Sequence, residues 1–240
     1  MFNPTIAGIT VRATLGRRRA LLFAIPAVIL IVLTLVLRVS RPAGTPWPDT
    51  VLGDFGFSVL LPLTALIIGT GVLGAEIDDG SVLHVLATPV PRHTVLISKY
   101  LVAVGLTVVF AAIPEYLAGT IATGPASRLT IGLLVGALVA AVVYNAAFIM
   151  LSVLTRRAVV VGLLYLLVWE GLLSNLVPAV RLLSAGSYSL SVATSIAHNT
   201  ALNGHLAIGT AIGLAVISTA VMLVLGIRRL SAFTIKGDPA

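Results

Sequence analysis

Six apolar runs, each long enough to cross a bilayer, alternate with polar breaks along this chain: residues 20–37, 55–75, 100–122, 129–154, 158–176 and 205–227. About 20 apolar residues in helical form cover the hydrocarbon core of a membrane. The runs are continuous, with no apolar–polar alternation, which argues for helices and against strands. Lipid-exposed backbone must satisfy its own hydrogen bonds, and a helix does so within each span. The fold class expected is all-α: a polytopic membrane protein with six transmembrane helices. Pro26 and Pro62 fall inside the first two runs, where they kink a helix or close its first turn.

The breaks differ in character. Residues 1–19 form a lead-in in which Ile6, Ile9 and Ala13 recur at helical spacing, with Arg12 and the Arg17, Arg18, Arg19 cluster off that stripe. This suits a short amphipathic helix on the membrane surface, and a frayed basic tail is the plainer alternative. The segment 38–54 holds Pro42, Gly44, Pro46 and Pro48 and reads as a turn-rich loop. Residues 124–128 are a tight turn, and 177–204 is a long, moderately apolar connection. The division expected is therefore a lead-in (1–19), a six-helix membrane domain (20–227) and a tail (228–240), without an internal repeat. The run after Arg19 is longer than the apolar stretch of a cleavable leader and lacks a small-x-small site, so an uncleaved first span is expected.

Composition fits this reading. Of 240 residues 58% are hydrophobic and 10% charged, against about 25% charged in a soluble domain; mean hydropathy is +1.12. The net charge of +7 points to lipid, not nucleic acid, once the bases are sorted by side. Eleven (Arg12, Arg17, Arg18, Arg19, Arg92, Lys99, Arg156, Arg157, Arg228, Arg229, Lys236) fall on one side, and the other four of the 15 (Arg38, Arg41, Arg128, Arg181) on the opposite side. The basic side faces the cytoplasm, so both termini and the loop at 76–99 are expected there (N-in, C-in). Cysteine is absent, which excludes disulfides, thiolate chemistry and Cys-based metal sites.

The 76–99 loop is more elaborate than a connector requires. Glu76, Asp78 and Asp79 open it, and Arg92 and Lys99 close it. Asp78, Asp79 and Ser81 are N-cap candidates, with acids suited to a helix amino end. Val82, Val85 and Leu86 then make one apolar face of a short helix. Thr88-Pro89 and Val90-Pro91 break it, and Pro91 can start a helix running through Lys99 into the third span. Such a helix at the membrane surface docks into a groove on another protein or lies on the headgroups; the residues alone allow both.

The pattern Glu76, Asp79-Gly80-Ser81, Leu86, Ala87-Thr88-Pro89, Arg92 and Lys99 after the second span resembles the permease of a type-2 ABC exporter, whose acidic-Gly-Ser/Thr, Leu-x-Thr/Ser-Pro, Arg and Lys signature occupies the same loop. The six-span layout and basic lead-in are similar too, so the resemblance covers essentially the whole chain. It implies a cytoplasmic coupling helix contacting an ABC ATPase, with Glu76, Asp78, Asp79, Gly80, Ser81, Val82, Val85, Leu86, Pro89, Arg92 and Lys99 as coupling residues. It further implies a second permease copy or homologue, a short re-entrant segment between spans 5 and 6, and export of hydrophobic or amphipathic compounds. A compact permease with a separate ATPase is an arrangement expected in a prokaryotic plasma membrane. No G-x-x-x-x-G-K-[ST] is present, and neither Lys99 nor Lys236 follows a glycine-rich run. ATP and Mg are therefore expected on the partner, with no cofactor bound by this chain. His84 and His93 in the loop have no counterpart in that signature.

Glu115 and Glu170 are the acids inside apolar runs. A charged side chain at the centre of a span costs ~2.5–3.5 kcal/mol on insertion scales. Glu115 lies ~24 Å beyond Lys99 and Glu170 ~20 Å beyond Arg157 at 1.5 Å per residue, which suggests similar depths near an outer gate. They line a pathway or relay protons, or they are structural carboxyls bonded to groups such as Tyr116, Trp169 or Asn175. Asn145 and Asn175 are further pathway candidates, though an intramembrane Asn also bonds helix to helix. Gly132, Gly136 and Ala140 repeat every four residues, a spacing for close packing inside the protomer or along a dimer seam. His84 and His93 are not in an H-E-x-x-H arrangement, and no G-x-S-x-G occurs, so no enzyme active site is expected. An ion-coupled carrier using Glu115 and Glu170 and a non-transporting scaffold are the alternative readings.

Overall fold

The computed structural model describes residues 4–40, 47–78, 91–198, 202 and 204–231, and among them all regular structure is helical. After α1 (Pro4–Thr14), α2 (Arg17–Ser40) is the first span. The second, α3, begins as a π-helix, Asp49–Leu60, and runs unbroken into the α-helix Leu61–Asp78. The third, α4, comprises Arg92–Thr107, a π-helical turn Val108–Ala112 and Ile113–Thr123. The fourth, α5, is Arg128–Leu154. The fifth, α6, comprises Ala158–Leu164, the π-helical Tyr165–Leu173 and Ser174–Leu176. A 3-10 turn, Pro178–Leu183, leads into α7 (Ala185–Ala197), and α8 (Ile208–Ser231) is the last span. Among the described residues six helices are long and apolar enough to cross a membrane.

Local chemistry sets several boundaries. Ser127 caps α5, its hydroxyl accepting from the Thr130 amide at 3.1 Å. Gly124 just before it takes φ 99°, open to glycine without penalty. Pro91 is extended, and its carbonyl accepts from the Thr94 and Val95 amides. Thus Pro91 is the cap of α4 and Arg92 its first residue, one position later than a proline-led helix start. The second span starts at Asp49, six residues before the expected 55, because the helix absorbs Asp54 instead of ending at it.

The spine is α5, packed against α3, α4, α7 and α8. Of its most apolar window 67% is buried, against 11% for α6 and for α8. In lipid, apolar side chains gain little by leaving hydrocarbon, so close backbone approach carries helix association. The small-residue stripe does this within the protomer. A Cβ added to Gly132 would lie 2.6 Å from the Ala193 carbonyl oxygen, and one added to Gly136 2.8 Å from that of Ser189. Ala140 is fully buried as well, so the stripe seats α7 and makes no dimer seam.

This contact orients α7. Its amino end, at Gly186, lies beside Tyr144, 16 residues into α5, and its carboxyl end, at Ala197, lies beside Gly132. The connection between spans 5 and 6 therefore dips into the bundle and climbs back out along α5. At the opposite end, which holds α1 and the close of α8, Phe23, Ile68, Val72, Leu96, Tyr100, Ile149 and Leu230 form a second apolar cluster. Ala7, Val11 and Leu15 pack on it, and Thr10 and Thr14 are buried. The lead-in is thus a docked helix, not a frayed tail. Its protein-facing side is not the Ile6, Ile9, Ala13 stripe, since Ile9 and Ala13 are exposed.

Replacing Gly136 with Val drives a branched side chain into the α7 backbone. A loss of about 1–3 kcal/mol is expected, read as a lower thermal midpoint of the purified protein in detergent, while Gly71→Ala, where an added Cβ meets nothing within 4 Å, leaves it unchanged.

Candidate transport cavity

A cavity of about 380 Å³ lies between the π-helical start of α3, the second half of α6 and the amino end of α7. Phe57, Pro62 and Leu63 wall it on the α3 side, Leu163, Leu166 and Leu167 on the α6 side, and Leu190 on α7. Its polar lining is Asp54, Ser58, Tyr144, Glu170, Ser174, Asn175, Arg181, Ser184, Ser187 and His205. Both long walls, Asp49–Leu60 and Tyr165–Leu173, are π-helical. Such wide turns are rare and frequent at functional sites.

Glu170 lies in this lining, half-buried. One carboxylate oxygen accepts from the Tyr165 hydroxyl at 2.7 Å and the Ala185 amide at 2.9 Å. The other accepts from the Ser184 hydroxyl at 2.5 Å, and the Gly186 amide reaches both at 3.3–3.4 Å. Ser184 in turn accepts from the Ser187 amide at 3.0 Å. The first amides of α7, unpaired by helix geometry, are therefore met by a carboxylate from another helix at the positive end of the dipole. A Cβ on Gly186 would lie 2.9 Å from this carboxylate and 3.0 Å from the Tyr144 hydroxyl oxygen, so glycine fits there. Arg181 makes the reciprocal contact, its Nε donating to the Ser174 carbonyl at 2.9 Å and Nη2 to that of Asn175 at 3.5 Å, where the carboxyl end of α6 favours a cation.

Glu115 sits apart. It is 1% exposed, faces Leu30 and Gly56, and its Oε1 has no hydrogen-bond partner among the described residues. A Cβ on Gly56 would lie 2.6 Å from its other oxygen. The two intramembrane acids thus share no gate: Glu115 packs between α2 and α3, whereas Glu170 opens on the cavity. Nor do the expected partners bind either acid. Trp169 donates to the Leu183 carbonyl at 3.3 Å, and the exposed Asn175 donates to Gly171 at 2.7 Å. Asn145, fully buried, ties α5 to α4 by donating to the Thr107 hydroxyl at 2.8 Å, with a second bond to the Ala141 carbonyl at 2.7 Å. It is a packing residue and does not line the cavity.

At the other end, α3 continues through Glu76 to Asp78, and the transverse helix expected after it falls outside the described residues. Asp79, Gly80, Ser81, Val82, Val85, Leu86 and Pro89 lie outside the described residues, as does His84. Arg92 Nη1 donates to the Leu230 carbonyl at 3.0 Å, near the carboxyl end of α8. Lys99 is 1% exposed and donates to the Val72 carbonyl at 3.2 Å. Lys99 therefore faces the bundle and binds the start of α4 to α3. Asp54 was hidden from sequence reasoning because it reads as the last residue of a loop. The signal was its spacing from Ser58 and Pro62, at i, i+4 and i+8.

Comparison with protein families matches residues 54–234 to the ABC-2 family transporter protein model. The chain belongs to the ABC-2 transporter family. The match takes in the cavity, the 76–99 loop and five of the six spans, so this ABC-2 protein is the membrane subunit of an ABC transporter. Comparison with curated proteins gives no match. Among the permease's described residues no group of three His, Asp or Glu gathers as a metal site.

Replacing Glu170 with Ala leaves the Ala185 and Gly186 amides of α7 without their acceptor, at a cost of about 1 kcal/mol for a lost cap. Hydrogen exchange at these two amides is expected to speed up ~5-fold or more, with amides 140–150 of α5 unchanged.

Proposed function

We propose that this permease is the membrane half of an ATP-driven exporter of hydrophobic or amphipathic compounds, worked by a separate cytoplasmic ATPase. The observation that carries the reading is the family match over residues 54–234, which contains the whole acidic loop signature. Two sequence features support it: no P-loop lies in this chain, and the eleven-to-four distribution of bases puts both termini and the loop on the cytoplasmic side. Two copies, or this chain with a homologue, form the pathway in a prokaryotic plasma membrane, with ATP and Mg held by the partner. The exposed apolar faces of α2, α6 and α8, with Val28, Val160 and Val216 among them, suit lipid and the second copy.

Coupling follows from what the loop is attached to. Segment 79–90 joins α3 directly to α4, and Lys99 and Arg92 bind the start of α4 to Val72 and to Leu230 of α8. A push on the segment therefore moves three helix ends together. Glu76 and Asp78 carry negative charge to that end, suited to a basic rim on the ATPase. Arg92 and Lys99 serve as ties, and the contact itself falls to the 79–89 residues. The ion-coupled alternative loses its basis in a shared carboxylate site, since the two acids stand apart and the Glu170 oxygens are spent on α7.

Co-expression with an ABC ATPase from the same genome is expected to yield a complex on affinity purification. Val85→Pro, placed to break the docking helix expected from the sequence, is expected to reduce co-purified ATPase at least ~10-fold, and Glu76→Lys to reduce it less, since a surface charge contact is worth under about 1 kcal/mol. A permease that purifies and transports without any ATPase overturns the proposal.

A further inference from the structure

The charges around the cavity are not equally available to a ligand. Glu170 is saturated by Tyr165, Ser184 and the first amides of α7. Arg181 is held against the end of α6 by Nε and Nη2. Asp54 has no hydrogen bond or ion pair among the described residues and is exposed on the cavity wall. It stands five residues inside the second span, whose apolar window includes it, where a carboxylate is costly unless it faces a cavity or a partner. Around it the surface is mostly apolar, with Phe57, Leu63, Leu166 and Leu190 on three sides. The volume, about 380 Å³, falls at the small end of the range for sites that enclose a drug-sized molecule.

We propose that this cavity binds an organic cation with an apolar body, and that Asp54 is the specificity-determining residue that takes its positive group. The inference rests on the permease reading for its claim that such a cation is the cargo; the binding site itself stands on the cavity and its charges. The apolar walls take the body of the ligand without selecting its charge. An anion meets a lining in which the carboxylates of Asp54 and Glu170 outnumber the single guanidinium of Arg181. Desolvation between apolar walls strengthens the attraction between Asp54 and a cation relative to water.

Tetraphenylphosphonium and tetraphenylborate share one apolar shape and differ in the sign of charge. Their binding to the full-length protein in zwitterionic nanodiscs, followed by equilibrium dialysis, tests the proposal. The wild type is expected to bind the phosphonium tighter than the borate, after subtraction of empty nanodiscs. Asp54→Asn is expected to weaken phosphonium binding about tenfold, the scale of one lost charge–charge attraction between apolar walls, and Asp54→Glu to recover most of it. No phosphonium binding by the wild type, a preference for the borate, or equal phosphonium affinity in Asp54→Asn each overturns the proposal. The wild-type comparison needs no variant and holds even if Asp54→Asn fails to fold. If the site fails while the ATPase still co-purifies, the permease reading stands without this cargo. Asp54-dependent binding in a protein that recruits no ATPase leaves the site and removes the coupling.

Discussion

A helix that begins inside a membrane has nowhere to put its first amides. Water and lipid offer them nothing at that depth, and α7 begins there, beside Tyr144 in the middle of α5. The Glu170 carboxylate resolves this by accepting from the Ala185 and Gly186 amides while Ser184 takes that of Ser187. A charged acid and an unsatisfied helix end, each costly alone in hydrocarbon, cancel each other. Much else follows from that bond. It fixes how far α7 enters the bundle, and so which α7 carbonyls meet Gly132 and Gly136. It also draws α6 toward α7 at one level only, leaving a cavity beside the contact.

The same logic separates the two ends of the bundle. Near α7, backbone approach is closest and the structure turns on positions where no Cβ fits. Around Tyr100 and Leu230, larger side chains interlock and α1 covers them.

The six spans were legible from hydropathy because a bilayer makes length and apolarity sufficient. The Gly132, Gly136, Ala140 stripe was legible as a close-packing face, though the chain alone could not name the helix it meets. Glu170 could be marked as costly but not explained: Tyr165 is five residues away, but Ser184, Ala185 and Gly186 lie 14–16 residues away across a turn, and no local spacing encodes those three. Asp54 was missed for a physical reason. One carboxylate at the edge of an apolar run is indistinguishable from a loop residue until a cavity is known to receive it. The loop itself was read through residues mostly outside those described. What is seen of it, Arg92 and Lys99 turned onto α8 and α3, shows that two of its bases tie helices together.

Under the proposed coupling, α3 is the element that relates the two ends. Its π- and α-helical parts, 12 and 18 residues, run without a break, a length on the order of 40 Å at ordinary rise. Glu76 and Asp78 stand at one end, and Asp54 lines the cavity at the other. A displacement of the loop moves the inner half as a rigid α-helix held by Lys99. The outer half is wide-turned, and π-helical turns are where helices change register. Glu115 presses against Gly56 within that half, so a shift of α3 is resisted at one face by a buried carboxyl and free at the other, where the cavity is empty of side chains. Motion delivered along α3 is therefore steered toward the cavity wall that carries Asp54.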